Sequence, residues 1–417
     1  MAGGMMNAAT LAADARAAAG VLARSSTAVR NNALLALARL LRENAGEIVD
    51  ANRRDMENAD DLSAALKERL QLSAAAVGKL AESAEDIAAQ DDPVGAIDEM
   101  RPMPSGIVVG KMRIPLGVIL AIYESRPGVT ADIAALAIKS GNAVILRGGS
   151  EAQQSNMAIA KCITAAFAEV GLPSASAVVV ADSGREMVGA LLKCADIDLV
   201  IPRGGRGLIE RVAKDAVMPS LKHLDGNCHL YIDESADMAV AREITINAKT
   251  RRYGVCNALE SLLVHKNVAD KALPPIAAAL TKRGVELRGC AQSCAIIGDG
   301  CKAAAEEDWS AEYLAPVISI CIVPSLAAAV VHINKYGSGH TDAIIARDYD
   351  AGWKFVREVD SSSVMINAST AFADGGEYGL GAEVGTSTDK LHARGPVGVM
   401  ALTTQKYVVL GNGQVRG

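Results

Sequence analysis

Cys256 stands in the turn Tyr253-Gly254-Val255-Cys256-Asn257, just beyond a helix-like stretch carrying Lys249, Arg251 and Arg252. Nearby cations favour the thiolate, the form of cysteine that attacks a carbonyl, while the carbonyl end of a helix opposes it. Spacing alone leaves a second reading open, that of a small apolar side chain in a core. Two glycine pairs point to different chemistry. Arg147-Gly148-Gly149-Ser150-Glu151 and Arg203-Gly204-Gly205-Arg206-Gly207 each separate an apolar run from a helix start, where free amides and the helix dipole hold anions. Glycine is also common there for steric reasons. Gly379, Gly381 and Gly385 are spaced like a dinucleotide fingerprint but follow a loop and open no helix, so a flexible loop is expected. Cys290, Cys294 and Cys301 match no zinc spacing and have no histidine among them, so no metal site is expected.

These residues need elements to position them. Over residues 5–90, Leu34, Leu37, Ala38 and Leu41 recur at helical spacing while Arg30, Arg39, Arg42 and Glu43 take other faces. GIVVGKMRIPLGVILAIY then reads as strands or a hairpin, its first half a candidate oligomer edge. From 116 to 215 strand and helix alternate, with a helix near Thr130–Ser140 closed by Gly141. Ser150 with Gln153, and Ser183 with Glu186, have capping-box spacing. Parallel pairing would place Gly148-Gly149 and Gly204-Gly205 at the strands' carboxyl ends, where ligands sit. A second α/β stretch starts near Asn227, and ALTTQKYVVLGN reads as a terminal strand.

At 417 residues the chain is long enough for two or three sizeable cores. Half its residues are hydrophobic and only 3% aromatic, which favours aliphatic helices and an α/β design. A net charge of -6, with lysine and arginine spread evenly, argues against nucleic acid as a partner. Asp14 and Arg16 break the first apolar run, and no window suits a bilayer span, so neither export nor a membrane is expected. Eight cysteines are best read as reduced thiols in a cytoplasm, and the Asn367-Ala368-Ser369 sequon as chance.

SGNAVILRGGSE resembles the aldehyde dehydrogenase stretch that binds the adenosine ribose, and EYLAPV at 312–317 resembles that superfamily's E-x-F-G-P-V. YESRPGVTADIAALAIKSGNAVILRGGSEA, RRYGVCNALESLLVH, INKYGSGHTDAI, NASTAFADGGEYGLGAE and TSTDKLHARGPVG are similar, in order, to gamma-glutamyl phosphate reductases. The resemblance implies an aldehyde dehydrogenase-like α/β fold. Residues 1–104 and 120–225, with 361–390, would form a parallel-sheet cofactor domain; 226–360 a catalytic domain carrying Cys256; 105–119 and 395–417 a β extension for oligomerisation. It assigns Cys256 as the nucleophile. Arg147, Ser150 and Glu151 fall at the ribose, Gly204 and Gly205 at the phosphate-side turn, and Glu312 at the nicotinamide ribose of NADPH.

Two departures are visible. HLDGNCH stands where many relatives carry a water-activating glutamate, and Arg126-Pro127-Gly128 stands where an asparagine would donate to an oxyanion. The implied activity is NADPH-dependent reduction of gamma-glutamyl 5-phosphate to glutamate 5-semialdehyde and phosphate, in proline biosynthesis, through a cysteine thioacyl intermediate. A phosphate leaving group calls for cations and hydroxyls, for which Ser387, Thr388, Lys390, His392 and Arg394 are candidates; the alternative is a solvated basic loop. A homo-oligomer is expected, and docking of glutamate kinase stays open. Two rival readings remain: another aldehyde or acyl-CoA dehydrogenase of the superfamily, and a non-catalytic nucleotide-binding protein with Cys256 inert.

Overall fold

Five alanine-rich helices open the chain: α1 (Ala8–Leu22), α2 (Thr27–Glu43), α3 (Ala45–Glu57), α4 (Ala64–Leu70) and α5 (Ala74–Ala89). The computed structural model describes residues 7–181, 184–222 and 225–416. Asn7, Ser26, Ser63 and Ser73 cap α1, α2, α4 and α5 by accepting a bond from an early helix amide. On α2, Leu34, Leu37, Ala38 and Leu41 are buried as their spacing predicts. Arg30 is not on a solvent face: it is buried and ion-paired with Asp92, and its Nη1 donates to Ser25 O at 2.6 Å. A buried guanidinium is tolerated only with such partners.

β1 (Ile97–Pro102) and β2 (Val108–Pro115) are followed by β3 (Val118–Tyr123). β2 and β3 form no hairpin with each other. β2 pairs antiparallel with β1 and with the terminal strand β16 (Thr403–Leu410), whereas β3 enters a parallel sheet. That sheet has the order β5-β4-β3-β6 and is built through α6 (Gly128–Lys139), β4 (Ala143–Gly148), α7 (Gln153–Glu169), β5 (Ala177–Val179), α8 (Arg185–Leu191) and β6 (Leu199–Arg203), with α9 (Arg206–Asp215) beyond. Gly141 turns the chain out of α6 at φ +75°, which glycine adopts freely. The order reverses between β3 and β6, so the loops after β3, β4 and β6 meet at one crevice.

A second, seven-stranded parallel sheet has the order β10-β9-β11-β8-β7-β12-β13. Its elements are β7 (Cys228–Ile232), α10 (Met238–Thr250), β8 (Leu259–His265), α11 (Ala269–Thr281), β9 (Glu286–Gly289), α12 (Ala291–Ile297), β10 (Cys301–Ala303), β11 (Val317–Val323), α13 (Leu326–Tyr336), β12 (Thr341–Ile345), α14 (Tyr349–Glu358) and β13 (Ser363–Ile366). Buried Leu230, Leu262, Leu273, Ile318 and Ala343 belong to one core cluster there. β14 (Thr386–Ser387) and β15 (Gly395–Pro396) pair antiparallel.

The chain divides into two compact units. The first comprises Met1–Lys222, Gly379–Gly385 and Val397–Gly417; the second, His223–Tyr378 and Thr386–Pro396. Most of 361–390 therefore lies in the second unit and not with the four-stranded sheet, because β13 hydrogen-bonds to β12 in the larger sheet. Among the described residues no helix is long and apolar enough to cross a membrane.

Candidate active site

At the crevice of the first unit lies a cavity of about 460 Å³, within the range of small-molecule sites. Arg147, Ser150 and Glu151 line it, and the first turn of α9 contributes Gly207 and Leu208. Arg185 of α8 and Arg211 of α9 add two guanidiniums that the sequence did not single out, and Val188 adds an apolar wall. Arg211 follows Gly207 by one helical turn, a spacing that would have revealed it. Its Nη2 donates to Arg185 O at 3.0 Å, linking the two helices.

The glycine pairs serve close approach more than free amides. A Cβ on Gly148 would stand 2.1 Å from Asn156 Nδ2, and one on Gly204 2.3 Å from Glu124 Oε2. Gly205 N already donates to Glu124 Oε2 at 2.9 Å, and Ser125 N and Oγ donate to Glu151 Oε1 at 2.5 and 2.9 Å. Ser150 does not cap α7. It opens a short 3-10 turn, and Asp55 on α3 takes the amides of Gln154 and Ser155 at 3.0 and 2.8 Å instead. Ser183, the other expected cap, lies outside the described residues. Three arginines, hydroxyl and carboxylate groups, and two aliphatic side chains fit a phosphorylated adenosine: cations for phosphate, acceptors for ribose hydroxyls, apolar walls for a purine.

In the second unit Cys256 sits at the amino end of β8, against the rule that ligands gather at carboxyl ends. Its turn is held from two sides. A Cβ on Gly226 would lie 2.2 Å from Cys256 O and 2.6 Å from its Cα, so only glycine lets the segment before β7 approach. On the other side Thr370 Oγ1 donates to Asn257 O at 2.7 Å, and Asn257 Nδ2 donates to Ala373 O at 3.1 Å. Asn257 is thus turned away from the cysteine. Cys256 is half-exposed, and no acceptor for its backbone N–H is found among the described residues.

Cys228, whose thiol donates to Cys256 O at 3.1 Å, is fully buried, and burial pushes its thiol well above the ordinary range. The same thiol feels Cys256, Glu260 and Glu312, so Glu312 shares this neighbourhood. It arrives there because Leu314 N donates to Glu260 Oε1 at 3.2 Å. Lys249 is not a free cation for the thiolate: it is buried against Glu260 at 2.5 Å. Burial raises the Glu260 carboxyl to about 7 and lowers the Lys249 ammonium. His223 and Leu224, at the place of the water-activating glutamate, lie outside the described residues. Gly128 opens α6 and offers no side-chain donor.

The phosphate candidates fall on β14 and on the loop that leads from it to β15. Lys390 Nζ and Arg394 Nη1 both reach Asp360 at 2.7 Å, and the two cations hold its carboxyl below the usual range. Ser387 is buried, its Oγ without a partner among the described residues, while Thr388 is half-buried and His392 exposed. Cys290, Cys294 and Cys301 come together with Cys321 as thiol pairs, and no metal-holding group of three or more His, Cys, Asp or Glu occurs among the described residues. Asn367 is engaged through its side chain with Ala346 N and O at 3.0 and 2.8 Å.

The family model described as aldehyde dehydrogenase family matches residues 2–290. A gamma-glutamyl phosphate reductase from Thermotoga maritima is 42% identical, covering 99% of this chain and 100% of its own, with a TM-score of 0.95. One from Saccharomyces cerevisiae is 30% identical over 99% and 100%, with a TM-score of 0.54. An acetylating aldehyde dehydrogenase from Geobacillus thermoglucosidasius shares the fold at 19% identity, 98% and 97% coverage and a TM-score of 0.73. With its parallel sheets and a full-length match at that identity, the chain belongs to the aldehyde dehydrogenase family and, within it, to the gamma-glutamyl phosphate reductases, which are glutamate-5-semialdehyde dehydrogenases.

Proposed function

We propose that the protein reduces gamma-glutamyl 5-phosphate to glutamate 5-semialdehyde and phosphate with NADPH, through a thioester on Cys256. The observation that carries this reading is the setting of Cys256: half-exposed, clamped by Gly226 and Asn257, with a backbone N–H available to an oxyanion. Its thiolate attacks the acyl carbon, the carbon–oxygen bond to phosphate breaks, and phosphate leaves with the bonding pair. The Cys256 amide stabilises the oxyanion that forms on the way. The nicotinamide, when bound, supplies the hydride that reduces the thioester. Collapse of the resulting hemithioacetal on Cys256 expels the thiolate and frees the aldehyde. No water has to be activated, and Glu260, tied to Lys249 and Leu314 N, is not placed to do it.

Arg147, with Arg185 and Arg211, supports a preference for NADPH, since no acidic residue ends the AVILR strand to claim the free ribose hydroxyls. Ser150 and Glu151 line that cavity, Gly204 and Gly205, which are not among its lining residues, are read as the phosphate-side turn, and Glu312 is read as the partner of the nicotinamide ribose. Ser387, Thr388, Lys390, His392 and Arg394 are read as the phosphate exit, where the dianion competes with Asp360 for Lys390 and Arg394. Free thiols at all eight cysteines suit a cytoplasm. Exposed Tyr407, Val409 and Leu410 on β16 suit a strand covered in a homo-oligomer.

The test runs the reaction backwards. Glutamate 5-semialdehyde should reduce NADP in sustained turnover only with inorganic phosphate, and arsenate should substitute because its acyl ester hydrolyses. Without either, one stoichiometric burst per active site is expected. Steady phosphate-free oxidation, or a requirement for coenzyme A, would establish an aldehyde or acyl-CoA dehydrogenase instead.

A further inference from the structure

Four half-exposed cysteines gather at the carboxyl ends of β9 and β11, away from Cys256. The two strands run parallel with Gly289 opposite Ile320, so the next residues, Cys290 and Cys321, are neighbours on one face. Cys290 N donates to Ile320 O at 2.9 Å, Ile322 N donates to Cys290 Sγ at 3.4 Å, and the register sets Cys321 beside Cys290. Adjacent strands lie about 5 Å apart. That separation falls inside the roughly 4.4–6.8 Å that a disulfide spans between Cα atoms.

Beside this pair, α12 brings Cys294 Sγ to 3.2 Å from Cys301 Sγ. A Cβ on Gly289 would stand 2.5 Å from Cys301 Sγ and 3.1 Å from Cys294 Sγ, so the sulfurs occupy space that only glycine leaves. The pairs are chemically unequal. The neighbouring Cys321 thiol, with the Ile322 N–H and Ser293 hydroxyl bonded to the sulfur, draws the Cys290 thiol down to about 4, a thiolate at neutral pH. Burial pushes Cys301 up to about 12, and the neighbouring Cys290 sulfur, with burial, raises Cys321. A half-exposed thiolate beside a protonated partner is the arrangement that reacts with peroxide and then closes a disulfide.

We propose that this cluster is a site of reversible oxidation by hydrogen peroxide, with Cys290 as the reacting sulfur and Cys321 as the resolving one. The Cys290 thiolate attacks a peroxide oxygen, the O–O bond breaks, and the departing hydroxide takes a proton to leave as water. Cys290 is now a sulfenic acid. Cys321 gives up its proton and attacks that sulfur; the S–S bond forms, the S–O bond breaks, and a second water leaves. Two thiols and one hydrogen peroxide become one disulfide and two waters. The site is separate from the nucleophile, since Cys321 pairs with Leu263 while Cys256 precedes Leu259 at the other end of β8. Roughly 13 Å of strand lies between those two leucines.

The tryptic map tests this directly. Cys290, Cys294 and Cys301 share the peptide 289–302, whereas Cys321 lies on 303–335. The reduced full-length protein is treated with hydrogen peroxide, alkylated and digested. The expected product is 289–302 joined to 303–335, reversed by dithiothreitol. Cys321→Ser should instead trap Cys290 as a sulfenic acid that dimedone labels. Cys290→Ser should slow oxidation of Cys321 by at least about tenfold. Cys290 and Cys321 both recovered alkylated after Cys256 has been oxidised would overturn the proposal. So would a link confined to 289–302, two hydrogens lighter, with Cys321 still free, or dimedone labelling absent from Cys290 in the Cys321→Ser protein.

Discussion

Replacing Gly226 with alanine probes how tightly the proposed nucleophile, Cys256, is positioned without altering its own side chain. The new Cβ would lie 2.2 Å from Cys256 O, 2.6 Å from its Cα and 2.7 Å from its carbonyl carbon, all backbone atoms that cannot swing aside. Ordinary carbon–oxygen contact begins near 3.3 Å, so one segment must retreat by about 1 Å. Overpacking of this kind costs about 1–3 kcal/mol of stability. Because a reacting atom misplaced by about 1 Å costs on the order of a hundredfold in rate, kcat should fall about 100-fold. The assay is steady-state NADPH oxidation with acyl phosphate, alongside thermal unfolding and NADPH fluorescence titration. Cofactor affinity should stay native, since the arginine cavity is built from the other unit. A Gly226→Ala protein with kcat within about threefold of native would refute the claim that this contact positions Cys256.

Cys256→Ser should lower turnover by orders of magnitude with NADPH binding intact, because a hydroxyl there has no base to ionise it; near-native kcat would remove the nucleophile assignment. Arg147→Ala, Arg185→Ala and Arg211→Ala should each weaken NADPH about tenfold while weakening NADH less, as expected for a lost charge-assisted bond to phosphate; equal losses in fluorescence titrations would reassign that arginine to structure. Burial, aided by neighbouring His229, holds the His332 imidazole down to about 4, below its ordinary 6.5. The unfolded chain therefore binds that proton first, so the stability is present above pH 6.5 and lost as pH falls toward 4. On the order of 1 kcal/mol should go between pH 7.5 and 5.5. Urea midpoints should show a smaller loss in His332→Gln, and an identical loss in both proteins would exclude His332 as the source.

Some of the site was legible because its chemistry is local. The run Arg147-Gly148-Gly149-Ser150-Glu151 sits between an apolar strand and a helix, and its arginine, serine and glutamate do line the cavity. Arg185 was not legible, because an arginine on a surface helix has no pattern until another helix is placed beside it, whereas Arg211 was signalled only by its one-turn spacing from Gly207. The anion-site reading of the same run was incomplete for a similar reason. Asp55, on α3, takes the first amides of α7, and Glu124 takes Gly205 N, so protein carboxylates occupy donors that the sequence leaves open.

By itself the sequence determined the periodic elements, the alternation of strand and helix and the turn glycines, while Cys256 was singled out as the nucleophile only through the family resemblance. These follow from side-chain spacing and backbone preference, which act over a few residues. Only the tertiary structure decided that β2 and β3 part into different sheets, that Lys249 is neutralised by Glu260, that Arg30 is buried on Asp92, and that Gly226 fixes the position of Cys256. It alone paired Cys290 with Cys321 across two strands. Each of these depends on residues distant in sequence sharing a buried volume, where close packing and the cost of an unpaired charge select the partner, and neither cost exists until the chain has folded.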